Sequence, residues 1–218
     1  MKKIDYTNKI AIVTGASSGI GREISRILVK EYGCTVYGIA RDLRKLDVVR
    51  EELGPEKFLC CAMDASTEHS WEKFGVFLEN THTSPAILIN CAGILPRFTS
   101  FENASVDDIK KAMDVNFMSC VYSCKYIMPH MEKGGAVANV SSSSALCPFA
   151  GVSAYTASKA ALYNFTSALS CENTNISISS VLPGFVKTDI MSGHSVSPKE
   201  QKKIDKISAS PQKTAKRE

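Results

Sequence analysis

The chain has 218 residues, 44% of them hydrophobic, which is enough to bury the core of one α/β domain. Its net charge of +4 is modest, and much of the basic excess lies in the tail, at Lys199, Lys202, Lys203, Lys206, Lys213, Lys216 and Arg217. With no nucleic-acid-binding motif beside it, that excess reads as a solvated helix face, and no nucleic-acid partner is expected.

Met1 to Tyr6 leads straight into the first hydrophobic run with no apolar signal region, and no stretch is long enough to span a bilayer. A cytoplasmic protein with no membrane partner is the expectation. Strands are predicted near 9–13, 35–40, 57–63, 86–90, 135–140 and 177–182. Helices are predicted near 19–32, 43–53, 67–80, 106–131 and 155–171. The alternation argues for a parallel sheet covered on both faces. No linker, repeat or low-complexity tract divides the chain.

The first strand ends at Thr14-Gly15-Ala16-Ser17-Ser18-Gly19-Ile20-Gly21, and a helical pattern follows. Strand, glycine-rich turn and helix together form a dinucleotide signal. Gly15 suits the tight turn. Gly19 and Gly21 allow close backbone approach and tight packing, and the helix start, with Ile20, would receive a pyrophosphate.

The second strand, Thr35 to Ala40, ends at Arg41, where NAD-binding folds usually place an acidic residue for the ribose. A guanidinium matches a 2′-phosphate, and Ser17 and Ser18 would add hydroxyl donors. NADP(H) is therefore the expected cofactor. Asp42 either turns inward, which would favour NAD, or pairs with Arg41.

Tyr155 and Lys159 fall four apart in Ala154-Tyr155-Thr156-Ala157-Ser158-Lys159, and so share a helix face. A phenol, with its ordinary pKa near ~10, is a poor acid or base at neutral pH. A cation held beside a phenol favours the phenolate. The spacing is weak alone and gains weight from the glycine turn. Eight cysteines at irregular spacing read as buried free thiols in a reducing compartment. Cys60-Cys61 and Cys120-x-x-x-Cys124 lack a matching His/Cys cluster, so no metal is expected.

Together these motifs resemble the short-chain dehydrogenase/reductase family from about Lys9 to Thr188. Thr14-Gly15-x-x-x-Gly19-x-Gly21 is similar to its cofactor turn. Asn90-Cys91-Ala92-Gly93 resembles its Asn-Asn-Ala-Gly signature, with Cys91 replacing the second asparagine. Asp64 falls where a family aspartate meets the adenine, or it caps the next helix. Pro183-Gly184-Phe185-Val186-Lys187-Thr188 is similar to the segment that meets the nicotinamide; Pro183, Gly184, Val186 and Thr188 are the implied contacts.

The resemblance implies a Rossmann-type doubly wound α/β sandwich over 1–218, with parallel strand order 3-2-1-4-5-6 and a flexible substrate lid at 192–210. The usual seventh strand is expected to be missing, because the chain stops at Glu218, in what reads as the start of a helix from Ser210. It also implies hydride transfer between NADP(H) and a carbonyl or secondary alcohol. Tyr155 would be the acid or base, assisted by Lys159, which would also hold the nicotinamide ribose together with Tyr155.

Ser142 would hydrogen-bond the substrate oxygen, although any neighbour in the run Ser141 to Ser144 remains open. Asn116 would hold a relay water, or would only satisfy backbone groups in a distorted helix. Leu95, Phe98, Leu146, Phe149, Phe185, Ile190 and Met191 would wall the substrate, favouring a hydrophobic, steroid-like or bile-acid-like molecule. A catalytically weak sensor or scaffold, or a 3-oxoacyl-carrier-protein reductase-like enzyme, is the alternative. A homodimer through helices 106–131 and 155–171, or a homotetramer, is expected.

Overall fold

In the computed structural model of the chain, residues 5–186 and 210–215 are described. Six strands form one parallel sheet: β1 (Ile10–Thr14), β2 (Thr35–Ala40), β3 (Phe58–Ala62), β4 (Ile87–Asn90), β5 (Ala136–Val140) and β6 (Ser177–Val181). Their order is β3-β2-β1-β4-β5-β6, as the sequence predicts. Among the described residues no strand pairs with the outer edge of β6, where Ser177 and Ser179 are exposed.

Strand periodicity divides the core into two layers. Ala11 and Val13 point to one face, where they join Leu28, Val29, Leu46, Val49 and Phe58. Ile12 points to the other, with Trp71, Phe74, Leu88, Ile127 and Val137. The first layer lies under α1 (Gly19–Lys30) and α2 (Leu43–Leu53), and the second under α3 (Glu68–Asn80) and the helices that follow. Trp71 is fully buried and satisfies its indole by donating to the Ala65 carbonyl at 2.8 Å.

Helix ends follow local chemistry. Gly33, at φ +70°, closes α1 through bonds from Gly33 N to Val29 O and from Cys34 N to Leu28 O. Asp42 begins α2 by accepting from Lys45 N at 3.3 Å. The carboxylate thus serves as a helix cap, which answers the question the sequence leaves open there.

The predicted helix over 106–131 is not continuous. It divides into α4 (Val106–Met113), a π-helical turn (Asp114–Met118), α5 (Ser119–Ile127) and a 3₁₀ turn (Met128–His130). The π turn carries Asn116, whose side chain is drawn inward onto the main chain of Ile94. Helix α6 (Ser153–Glu172) ends at Asn173, whose side chain accepts from the amides of Asn175 and Ile176.

A last helix, α7 (Pro211–Ala215), packs against α1, burying Thr214 and Ala215. Gln212 there donates to Glu23 at 3.3 Å. The helix start expected at Ser210 is therefore present, with Ser210 O accepting from Thr214 N. The rest of the predicted lid, 192–209, lies outside the described residues.

Candidate active site

The strand order reverses between β1 and its two neighbours, β2 and β4. A ligand crevice is expected there, beyond the carboxyl ends of the strands. The buried Thr14 ties the two sides together, its hydroxyl accepting from both Cys91 N and Ala92 N at 2.9 Å. Gly15 and Gly19 adopt φ values of +68° and +55°, which favour glycine. A Cβ on Gly21 would lie 2.5 Å from the Gly15 carbonyl oxygen, so the helix can pack this closely only without one. Ser18 precedes α1 without a side-chain cap bond, which leaves the positive helix end open to an anion.

The resulting cleft has a volume of about 360 Å³. Gly15, Ser18, Gly19, Ile20 and Gly21 form one side, and Cys91, Gly93, Ile94 and Leu95 another. Ser142, Tyr155, Lys159, Pro183, Gly184 and Val186 close it. A glycine cradle, an open helix terminus and a cleft of this extent suit a dinucleotide. The two halves of the predicted site thus share one cavity.

Tyr155 and Lys159 stand one turn apart on α6. Lys159 is only 3% exposed and donates from Nζ to the Val140 carbonyl at 2.8 Å. Its Nζ lies 5.9 Å from the centre of the Tyr155 ring. Asn116 is fully buried in the π turn. It accepts from Ile94 N at 2.7 Å and donates to Ile94 O at 2.9 Å and to Ser158 Oγ at 3.0 Å. A Cβ on Gly93 would stand 3.2 Å from Asn116 Oδ1 and 3.4 Å from Lys159 Nζ, so little room is left there for a side chain.

The serine run separates by role. Ser141 also lines the cleft, but its hydroxyl donates to the Lys159 carbonyl at 2.7 Å. Ser144 is buried. Ser143 reaches only the outer pocket, whereas Ser142 lines both the cleft and that pocket beside Tyr155. The outer pocket, about 70 Å³, is walled by Leu95, Phe98, Phe149 and Phe185. Phe98 stacks on Phe149 at 6.3 Å between centroids, and Phe149 stands 6.0 Å from Phe185. Leu146 does not join this wall and is largely exposed. Ile190, Met191 and Thr188 lie outside the described residues.

Other predicted contacts are more peripheral. Asn90 is buried away from the cleft, in a chain of bonds running Ser123–Asn90–Asn139–Thr166 that crosslinks α5, β4, β5 and α6. Ala92 contributes its backbone to the Thr14 clamp. Ser17 and Arg41 do not line the cleft. Arg41 is exposed at the end of β2, near enough to Asp64 to act on its charge. Burial opposes ionisation of Asp64, but the Ser66 amide and hydroxyl, with Arg41, outweigh it and hold the carboxyl below its usual range.

Sequence reasoning missed Ser158 as the acceptor for Asn116, and it missed the buried Asn139 and Thr166. The cysteine expectation needs correction as well, because Cys147 and Cys171 are exposed. Both sit on surface turns of chain, at the end of the Ser142 segment and at the last turn of α6. Among the described residues no cluster of His, Cys, Asp or Glu is suited to a metal ion, and no helix is long and apolar enough to cross a membrane.

Residues 9–198 match the family model for short chain dehydrogenase. The chain is 34% identical over 194 residues to an 11-beta-hydroxysteroid dehydrogenase-like protein of Arabidopsis thaliana, covering 85% of this chain and 62% of that protein. The chain therefore spans less than two thirds of that plant relative. It is 30% identical over 205 residues to an uncharacterized oxidoreductase of Staphylococcus aureus, covering 91% of this chain and 86% of the relative. Among solved structures, a dehydrogenase/reductase from Sinorhizobium meliloti superposes with a TM-score of 0.86 at 26% identity, covering 97% of this chain and 86% of that one.

Proposed function

The chain belongs to the short-chain dehydrogenase/reductase family, an oxidoreductase family that binds a nicotinamide cofactor, and from that premise we propose that it interconverts a carbonyl and a secondary alcohol with NADP(H). The observation that carries this reading is the shared cleft, in which Ser142, Tyr155 and Lys159 face the glycine cradle.

The dinucleotide would be held by Gly15, Gly19, Ile20 and Gly21 at its pyrophosphate, with Ser17 and Ser18 toward the 2′-phosphate and Asp64 toward the adenine. Ala92 and Gly93 would flank it, with Asn90 acting from behind. Pro183, Gly184, Val186 and Thr188 would meet the nicotinamide end. Arg41 supports NADP(H), because its side chain is exposed at the end of β2 while Asp42 is engaged in capping. When bound, the cofactor supplies or takes up a hydride with its electron pair.

The chain's own residues handle the proton. In the reducing direction the Tyr155 hydroxyl gives its proton to the substrate oxygen, and in the oxidising direction it takes that proton back. Ser142 donates a hydrogen bond to the same oxygen as charge builds on it. Lys159, held by the Val140 carbonyl, would bind the ribose hydroxyls that Tyr155 also meets and would supply positive charge beneath the site. Asn116 fixes the Ile94 backbone at the cleft wall, and a water near its turn would relay protons to Lys159.

The apolar outer pocket favours a hydrophobic substrate, steroid-like or bile-acid-like, and the name of the Arabidopsis relative supports the steroid-like one. One Rossmann domain, a cytoplasmic location and a homodimer or homotetramer complete the proposal. Titration with NADPH and NADH by cofactor fluorescence, followed by a panel of hydrophobic ketones, tests it. Tighter NADPH binding and turnover of at least one ketone are expected.

A further inference from the structure

We propose that Ser144 is a positioning residue that aims the Ser142 hydroxyl at the substrate oxygen. Ser142 Oγ accepts from Ser144 N at 3.2 Å and from Ser144 Oγ at 3.0 Å. A serine hydroxyl has two acceptor lone pairs and one donor hydrogen. Both acceptor positions are therefore taken from one side, and the hydrogen is directed away from Ser144. Among the described residues no acceptor for that hydrogen is present, while Ser142 lines the cleft and the outer pocket beside Tyr155.

The amide bond belongs to the 3₁₀ turn Ser143–Ala145, which Ser142 caps. The hydroxyl bond is additional, since the turn does not require it. Ser144 is 2% exposed, and its hydroxyl makes this one bond. Its neighbours are committed elsewhere, with Ser141 bonded to the Lys159 carbonyl and the Ser143 amide to the Pro183 carbonyl. Accepting a hydrogen bond also polarises a hydroxyl and strengthens its own donation. Ser144 thus keeps Ser142 a donor, without touching the substrate.

The inference rests on the reading of Ser142 as the group that meets the substrate oxygen. Acetophenone, labelled with carbon-13 at its carbonyl, suits the phenylalanine-walled pocket as a probe. Its carbonyl stretch, recorded by infrared difference spectroscopy on the full chain with NADP⁺, should move to lower wavenumber. Ser142→Ala should remove the Ser142 share of the shift and leave that of Tyr155, Ser144→Ala should remove roughly half of the Ser142 share, and Ser144→Thr should retain the full shift. In ketone reduction by NADPH, Ser144→Ala should lower kcat about tenfold with KM little changed. In a Ser142→Ala background the same change should have almost no effect, because the two act as one unit.

Independent losses in the double variant overturn the role of Ser144 alone, and an unshifted wild-type band in a chain that does reduce ketones overturns the Ser142 contact and with it the role of Ser144. A wild-type chain that neither shifts the band nor reduces any ketone of the panel overturns the oxidoreductase reading and this role together.

Discussion

Asn116 donates to Ser158 Oγ at 3.0 Å, and Ser158 in turn donates to the Tyr155 carbonyl at 2.7 Å. The π turn is thereby tied directly to the helical turn that presents Tyr155 and Lys159. Replacing Asn116 with Leu removes this tie and leaves the Ile94 amide and carbonyl without their Asn116 partners at the cleft wall. A stability loss of about 2–3 kcal/mol is expected. Urea denaturation of wild type and variant would measure it, and a loss under about 0.5 kcal/mol would show that the tie is dispensable.

Gly21→Ala places a Cβ 2.5 Å from the Gly15 carbonyl, so the cradle must open. NADPH affinity should fall more than about tenfold, as the helix terminus moves from its anion position. Fluorescence titration reads this directly, and an unchanged Kd would argue that the glycine turn does not hold the cofactor.

Arg41→Asp should weaken NADPH binding far more than NADH binding, since it exchanges attraction to a 2′-phosphate for repulsion. The preference between the two cofactors should approach parity or invert. Equal affinity of the wild type for NADPH and NADH would contradict the assignment of Arg41.

Thiol chemistry should divide the cysteines. Burial pushes the thiols of Cys61 and Cys124 up to about 12 and that of Cys120 up to about 11. Their thiolates form only as pH rises toward those values, so at pH 8 they should resist a disulfide reagent. Cys147 and Cys171 are exposed and should react first. Mass spectrometry of a timed reaction would check the order, and rapid modification of Cys124 in the folded chain would contradict the packing of α5.

Much of this was legible in the sequence because it rests on local rules. The Gly15, Gly19 and Gly21 spacing marks a strand-to-helix turn, and the four-residue interval of Tyr155 and Lys159 places them on one face. Strand alternation such as Ala11, Ile12, Val13 foretells two packed layers. What escaped depends on long-range pairing. The sequence offers a distorted helix in which Asn116 satisfies backbone groups, but nothing near Asn116 announces that the partner is Ile94, 22 residues earlier. The partner of Lys159 in this structure is the backbone carbonyl of Val140, which carries no residue-type signal. Cys171 reads as buried from composition, yet it lies on the exposed last turn of α6.

The most direct test of the central claim is single-turnover ketone reduction by Tyr155→Phe, with NADPH affinity measured on the same sample. The substitution keeps the ring and removes only the hydroxyl that supplies the proton. Reduction should fall by at least about a hundredfold while the NADPH Kd stays close to wild type. Substantial ketone reduction by Tyr155→Phe would contradict that claim.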